Sequence, residues 1–404
     1  MKNYRQILVL VETSREFGRG VLRGIMRYSR DCSVPWRITF EDRGLLDGLP
    51  SDFDSWRGDG ILSRCHNGAM YERLLEKKVP VVDMLHNGIE PFPEIRVDET
   101  AVSRLAADHF VSRRYRNIAY YSWGASWWSN CRRDAFIQEL ASRGIRCLVS
   151  PDSYCDDPMT PYPRWKDCYY PSLRRWLKQL PKPVGIFVGS DIYASRILAV
   201  CGELEIRVPD EVAVLGTSND SLFCSLQFPP LSSLDLNAQQ MGYLGAQRLD
   251  FKIQQWQENK LDLNITKKNP RPLETILVTP GNIITRQSSD FVAVENDDCA
   301  EAIQYIKENF TDSDLTALRV AEHLDLSRST LERRFRQYLG RSVDREIFRQ
   351  RMGYAKSLLL ETDLPVNVIA RRIGFHCFEY FFRTFKKITG MTPVQFRSAH
   401  ARKY

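Results

Sequence analysis

The stretch Ile373-Gly374-Phe375-His376-Cys377-Phe378-Glu379-Tyr380-Phe381-Phe382-Arg383-Thr384-Phe385-Lys386-Lys387 ends one helical pattern, turns at Gly374 and starts another. Residues 366–373 carry the helix that leads into the turn. Beyond it Phe378, Phe381, Phe385 and Ile388 recur at the three-and-four spacing of a buried helical stripe. The pattern also stands about fifty residues earlier. There Leu315, Leu318, Ala321 and Leu324 form an apolar stripe, Asp325-Leu326-Ser327 breaks it, and residues 329–339 resume it, with Leu331 in the position of Phe381. Helix, tight turn and helix are therefore expected twice. A long helix over residues 343–361 joins the copies and ends before Pro365, which lacks the amide the helical ladder needs and restrains the residue before it. Helix restarts with Pro365 or Val366 in its first turn.

The face opposite each stripe carries the chemistry. With Leu331 and Phe335 inward, Arg328, Glu332, Arg333 and Arg336 project outward or to the flanks. With Phe381 and Phe385 inward, Glu379, Arg383, Lys386 and Lys387 are left outside. Phe378 and Tyr380 then lie near the helix start, where a groove-reading helix meets base edges. Arginine pairs both acceptors of a guanine, lysine holds phosphates without reading sequence, and Phe378 offers apolar contact to a thymine methyl. One basic amphipathic helix is more often a solvated surface than a DNA reader. The repeat and the segregation of charge weigh the other way. The whole chain has 57 Lys and Arg against 50 Asp and Glu, a net +7, whereas basic residues outnumber acidic ones by about ten from residue 319 onward. Two such units on one chain can enter successive major grooves, about 34 Å apart, without a dimer.

A chain of 404 residues exceeds what one core usually organises. Its front part alternates short apolar strands with helical patterns, which predicts parallel sheets covered by helices on both faces. Strands are expected at 7–11, 38–40, 60–62, 79–83, 118–121, 145–149, 185–188, 212–215 and 276–278, with helices over 19–29, 101–112 and 132–142. So many strands imply two sheets and two lobes, with a ligand cleft where the loops at strand ends converge. The expected fold class is thus an α/β two-lobed sensor with parallel sheets, followed by an all-α double helix-turn-helix domain. The boundaries are 1–288 for the sensor, 289–298 for a linker and 299–404 for the DNA module. The polar runs 254–271 and 286–298 read as a surface loop and as the connector.

Other signals are set aside. Gly18-Arg19-Gly20 with Gly24 has the wrong spacing for a dinucleotide fingerprint and reads as a loop entering a helix. Ten cysteines without a secretory leader are expected to be reduced, and no Cys-x-x-Cys or His-Glu-x-x-His spacing points to zinc. No metal, cofactor or catalytic residue is expected, no segment is long enough to span a membrane, and the cytoplasm is the expected location. His376 reads as a backbone neighbour or helix cap.

The stretch 373–387, followed by Gly390-Met391-Thr392-Pro393 and Phe396-Arg397, closely resembles the signature of the AraC/XylS family of transcription regulators. Ala321-Glu322-His323-Leu324 and residues 327–335 fit that family's first helix-turn-helix. The resemblance implies that Ser329, Glu332 and Arg333, then Phe378, Glu379 and Arg383, face bases. Cys377-Phe378-Glu379 departs from the small polar residues and glutamine common there. In the front part Gly58-Asp59-Gly60-Ile61-Leu62, Val79-Pro80-Val81-Val82, Arg132-Arg133-Asp134-Ala135-Phe136, Ser190-Asp191 and Val208-Pro209-Asp210-Glu211 resemble the periplasmic-binding-protein-like sensor lobes of the LacI/GalR family. Such lobes usually pair, which implies a homodimer.

A LacI-like sensor ahead of an AraC-like DNA module resembles the layout of pentose-operon regulators. It implies D-xylose as effector, double-stranded DNA as partner, and an activator that works with RNA polymerase. The same resemblance implies that Arg132 grips sugar oxygens, that Asp191 and Asn219 act from the opposite lobe, and that Phe17 and Arg19 close the first-strand side. Trp123 and Trp127, placed after a strand, either stack on a sugar's apolar face or fill a core or dimer interface. Two alternatives stay open. One is a repressor of the same layout sensing a different sugar. The other is a sugar-modifying enzyme with a DNA tether, for which Asp98, Asp191 and Asp220 supply carboxylates but no nucleophile motif or phosphate loop accompanies them.

Overall fold

The computed structural model describes residues 4–44, 47–64, 68–85, 95–122, 127–151, 170–261, 275–290, 296–362 and 364–400. The chain divides into two compact units, Met1–Phe291 and Val292–Tyr404.

The first unit holds two main sheets. One has the order β2-β1-β3-β4, from β1 (Arg5–Leu10), β2 (Trp36–Phe40), β3 (Gly60–Ser63) and β4 (Val81–Asp83), and its pairings are parallel. In its central strand β1, residues Ile7 to Leu10 are apolar on both sides of the pleat because both faces are covered. Ile7 and Val9 enter one core cluster with Val21, Ile25, Leu249 and Ile253, and Leu8 and Leu10 enter another with Met70, Tyr71 and Leu74. Covering helices are α1 (Glu16–Asp31) and α2 (Gly68–Glu76). The other sheet contains β6 (Asn117–Tyr121), β7 (Cys147–Val149), β8 (Val184–Val188), β9 (Val212–Thr217), β10 (Ser232–Leu234) and β12 (Ile283–Ile284), in the order β12-β10-β9-β8-β6-β7, with only β12 antiparallel. A parallel ribbon of β5 (Ile95–Val97) and β11 (Ile276–Val278) stands apart from both. The second sheet carries α3 (Glu99–Ser112), α4 (Trp127–Ser142), α5 (Tyr170–Gln179), α6 (Asp191–Glu203) and the short α7 (Ser221–Ser225). The expected strands and helices are found within a few residues. β5, β10 and β12 were missed, being too short to show a period.

Three expectations are corrected. Gly18-Arg19-Gly20 is not a loop but lies inside α1, and Gly24 lets that helix cross α8 (Ala238–Leu261) at backbone contact, since a methyl there would collide with the Gln239 carbonyl. Residues 254–261 continue α8 rather than starting a surface loop, and 262–271 lie outside the described residues. The connector does not begin at 286. Arg286, Ser288 and Ser289 are buried in the sensor, where Ser288 donates to the Val214 carbonyl at 2.6 Å and Arg286 to the Leu231 carbonyl at 2.9 Å.

The second unit is helical: α9 (Asp297–Asn309), α10 (Ala317–His323), α11 (Arg328–Leu339), α12 (Val343–Glu361), α13 (Val366–Arg372), α14 (Phe378–Thr389) and α15 (Pro393–His400). Its duplication is visible bond by bond. The Leu326 amide reaches the Ala321 carbonyl at 2.9 Å as the Phe375 amide reaches that of Ala370 at 3.0 Å. The turn residues Asp325 and Gly374 are left-handed (φ 53° and 82°), and Gly340 and Gly390 end α11 and α14 in the same conformation, with φ 65° and 75°. Ser327 and Ser342 cap the helices that follow them by accepting from the amides three residues on. Pro365 is the cap of α13, one residue before its first turn. Leu318, Phe378 and Ile388 do not join the buried stripes; all three are exposed, and Ala317 and Val320 supply the α10 contacts instead.

Among the described residues seven cysteines are free, and no helix is long and apolar enough to cross a membrane.

Candidate functional site

In parallel sheets the residues just past the strands converge on one edge, and ligands bind there. In the first unit a cavity of about 730 Å³ lies at this edge, between the two sheets. Glu12 follows β1, Arg64 follows β3, Gly189 and Asp191 follow β8, and Ser218 and Asp220 follow β9; all line it, with Phe17 from α1, Glu99 from α3, and Trp128 and Arg132 from α4.

Two arginine–carboxylate pairs stand in its charged wall, which Arg15 and Arg96 also line. Arg132 meets Glu99 with both arms, Nε to Oε2 and Nη2 to Oε1, each at 2.7 Å, and its Nη1 donates to the Gly189 carbonyl at 2.8 Å. The side chain is buried at 3% exposure. Burial alone would lower the Arg132 pKa, but the Glu99 carboxylate overcomes this and holds it above its ordinary value. Its guanidinium lies over the Trp128 ring, 5.3 Å from the centroid. On the other lobe Arg64 pairs with Glu12, which is 3% exposed, and lies 4.6 Å over the Phe17 ring. Glu12 Oε2 and Arg64 Nε are buried with no hydrogen-bond partner among the described residues.

The expected effector residues divide. Phe17, Arg132 and Asp191 line the cavity. Asp191 is already engaged, accepting from the Ser233 hydroxyl at 2.6 Å and from the Asp220 amide at 3.1 Å. Burial pushes its carboxyl up to about 7 against the pull of these donors. Arg19 stands at the rim rather than in the lining. It donates to the Thr13 carbonyl at 2.9 Å, and its Nη2 is 3.6 Å from Asp220 on the opposite lobe. Asn219 is behind the wall, its amide on Ser233 at 2.9 Å and its side-chain oxygen accepting from Arg286 at 3.1 Å. Trp127 is 49% exposed and does not line the cavity; one residue on, Trp128 does, because it shares a helix face with Arg132 at i,i+4. Trp123 lies outside the described residues. Glu12, Arg64, Glu99 and Trp128 went unread in the sequence. The usable signal was a charged residue directly after an apolar strand, which marks both Glu12 and Arg64.

In the second unit Arg328, Ser329, Arg333 and Arg336 on α11 are exposed, Glu332 is half-buried, and Phe378, Glu379, Arg383, Lys386 and Lys387 on α14 are exposed. Leu331, Phe335, Phe381 and Phe385 are fully buried beneath them. Each second helix of the repeat therefore presents long cationic side chains from a rigidly packed base. Among the described residues no cluster of His, Cys, Asp and Glu could hold a metal ion.

Three family descriptions match the chain in succession: "XylR N-terminal domain" over residues 6–95, "Periplasmic binding protein-like domain" over 107–289 and "Helix-turn-helix domain" over 320–399. The chain is 28% identical to the xylose operon regulatory protein of Escherichia coli (strain K12), over 98% of this chain and 97% of that protein. It is 27% identical to that of Haemophilus influenzae (strain ATCC 51907 / DSM 11121 / KW20 / Rd), over 98% and 99%. The solved structure of the xylose-binding transcription activator xylR matches with a TM-score of 0.68 and 27% identity, over 99% of this chain and all of that one.

Proposed function

The chain is a homologue of the xylose operon regulatory proteins, a periplasmic-binding-protein-like domain joined to an AraC-type helix-turn-helix domain, and on that premise we propose that it is a DNA-binding transcription regulator controlled by carbohydrate bound in the 730 Å³ cavity. The observation that carries the reading is the repeated helix-turn-helix with two exposed cationic helices, Arg328, Arg333 and Arg336 on one and Arg383, Lys386 and Lys387 on the other. Arg333 and Arg383 read base edges, and Lys386 and Lys387 hold phosphates. Ser329, Glu332, Phe378 and Glu379 complete the two reading surfaces.

D-xylose is the first sugar to test, because relatives are named for it. Phe17, Arg132 and the newly located Glu12, Arg64 and Trp128 make the contacts, Asp191 shapes the wall, and Asn219 braces it from behind. The chain acts in the cytoplasm as a homodimer, raising transcription through contact with RNA polymerase. The relatives are named as regulatory proteins, which supports a regulator over an enzyme.

The test is fluorescence anisotropy of a labelled fragment from upstream of the chain's own operon, with and without D-xylose or other sugars at saturation. Specific binding whose affinity changes with sugar is expected. Binding indifferent to every sugar would remove the control, and no binding at low salt would remove the function.

A further inference from the structure

The two lobes offer the cavity the same set of groups. On the first lobe a buried carboxylate, Glu12, pairs with Arg64, which lies over the Phe17 ring; on the second, Glu99 pairs with Arg132, which lies over the Trp128 ring. The two sets come from different elements, so the likeness is chemical and is not inherited from the repeat of the fold. Each can receive a hydroxyl from its carboxylate side, give to one from its guanidinium, and set an aromatic face beside a sugar ring.

We propose that the cleft is built for a neutral carbohydrate of two rings, with one half-site on each lobe. This rests on the reading of the cavity as the effector site and adds the size and charge of the ligand. Size follows from the volume, about 730 Å³. That lies within the roughly 300–1,000 Å³ that holds drug-sized ligands, whereas a free pentose is far smaller. Neutrality follows from the charges. Besides Arg64 and Arg132, each paired with a carboxylate, Arg15 and Arg96 line the cavity, but acidic side chains outnumber these four arginines there even without Asp191, so an anionic sugar would meet net repulsion. The first-lobe set is also incomplete by itself, with an acceptor at Glu12 Oε2 and a donor at Arg64 Nε buried and unpartnered. A small shift of that pair toward a hydroxyl would satisfy both.

The full chain is titrated calorimetrically with D-xylose, xylobiose, cellobiose and digalacturonate. One of the neutral disaccharides is expected to bind at least about tenfold more tightly than D-xylose, and digalacturonate more weakly than either. In Phe17→Ala and Arg64→Ala the ratio of disaccharide to D-xylose affinity should fall toward one. Phe17→Ala leaves the ion pair in place, so a folding defect in Arg64→Ala does not remove the test. D-xylose binding as tightly as both neutral disaccharides would overturn the two-ring assignment and leave the carbohydrate reading standing. Preference for digalacturonate would overturn neutrality. Failure of every probe would take down the carbohydrate reading and this inference together.

Discussion

Asp191 stands at the start of α6 with both carboxylate oxygens occupied, and its environment has a consequence that pH can expose. Its carboxyl titrates near 7 in the folded chain against an ordinary 3.8, because burial disfavours the charge more than Ser233 and the Asp220 amide favour it. A raised folded value means that the native state holds the proton more tightly. The stabilisation is full below about 4 and is lost as pH rises through about 7. The stability of the chain minus that of Asp191→Asn should therefore decline between these values and be level on either side, as followed by urea denaturation at each pH. A constant difference would show that the carboxylate is not desolvated as described. Arg132 presents the opposite case, a buried cation fully answered by Glu99. Arg132→Ala should cost about 3–5 kcal/mol, because it strands a carboxylate in the cavity wall. Adding Glu99→Gln should return part of that loss, and two additive losses would mean that the residues do not form one unit.

The paired helices α11 and α14 rest on buried aromatic and aliphatic side chains, so their outer faces can be changed without touching the packing. Arg333→Ala or Arg383→Ala should weaken operator binding by about 1–3 kcal/mol and relax preference at particular bases, whereas Lys387→Ala should weaken all sequences alike and flatten the salt dependence. Equal losses on every sequence for all three variants would refute base reading by the arginines. The turns differ in what they tolerate. Both Asp325 and Gly374 are left-handed, but a methyl at Gly374 would meet the Thr311 carbonyl at 2.9 Å. Gly374→Ala should therefore lower the melting temperature of the chain more than Asp325→Ala does.

Legibility also sorts by element. The helix over Val343–Glu361 has the bounds read from its pattern and from Pro365, and the buried strands β1, β6, β8 and β9 showed as unbroken apolar runs. Leu318 misled because α10 is short, so one period of hydrophobicity could not distinguish its inner face from its outer one. In the cleft Arg132 was legible as part of a motif. Its partner Glu99 was not, because the two are brought together across separate helices and nothing local relates them. Trp127 was preferred to Trp128 without helical phase, and one residue of phase separates the surface from the cavity.

For the molecule as a whole, sugar can alter DNA binding only by favouring one of two conformations, and the coupling must then be mutual. If saturating sugar changes operator affinity by some factor, saturating operator must change sugar affinity by the same factor. Titrations in both directions test this, and unequal factors would mean that a third process, such as a change of oligomeric state, intervenes. The sensor contains a hydrogen-bonded route on which such a coupling can act. Asp191 at the cavity holds Ser233, Ser233 holds the Asn219 amide, and the Asn219 side chain accepts from Arg286, which lies just ahead of the segment leaving the sensor. Ser218 and Asn219 both adopt left-handed backbone (φ 110° and 49°), an arrangement that costs of order 1–3 kcal/mol per residue and persists only where its surroundings impose it. Asn219 does not line the cavity. Asn219→Ala should therefore bind sugar with nearly unchanged affinity while the sugar-dependent change in operator affinity shrinks. A variant that loses sugar binding outright would place Asn219 in the ligand's contacts, and one with full coupling would show that the signal leaves the cleft by another path.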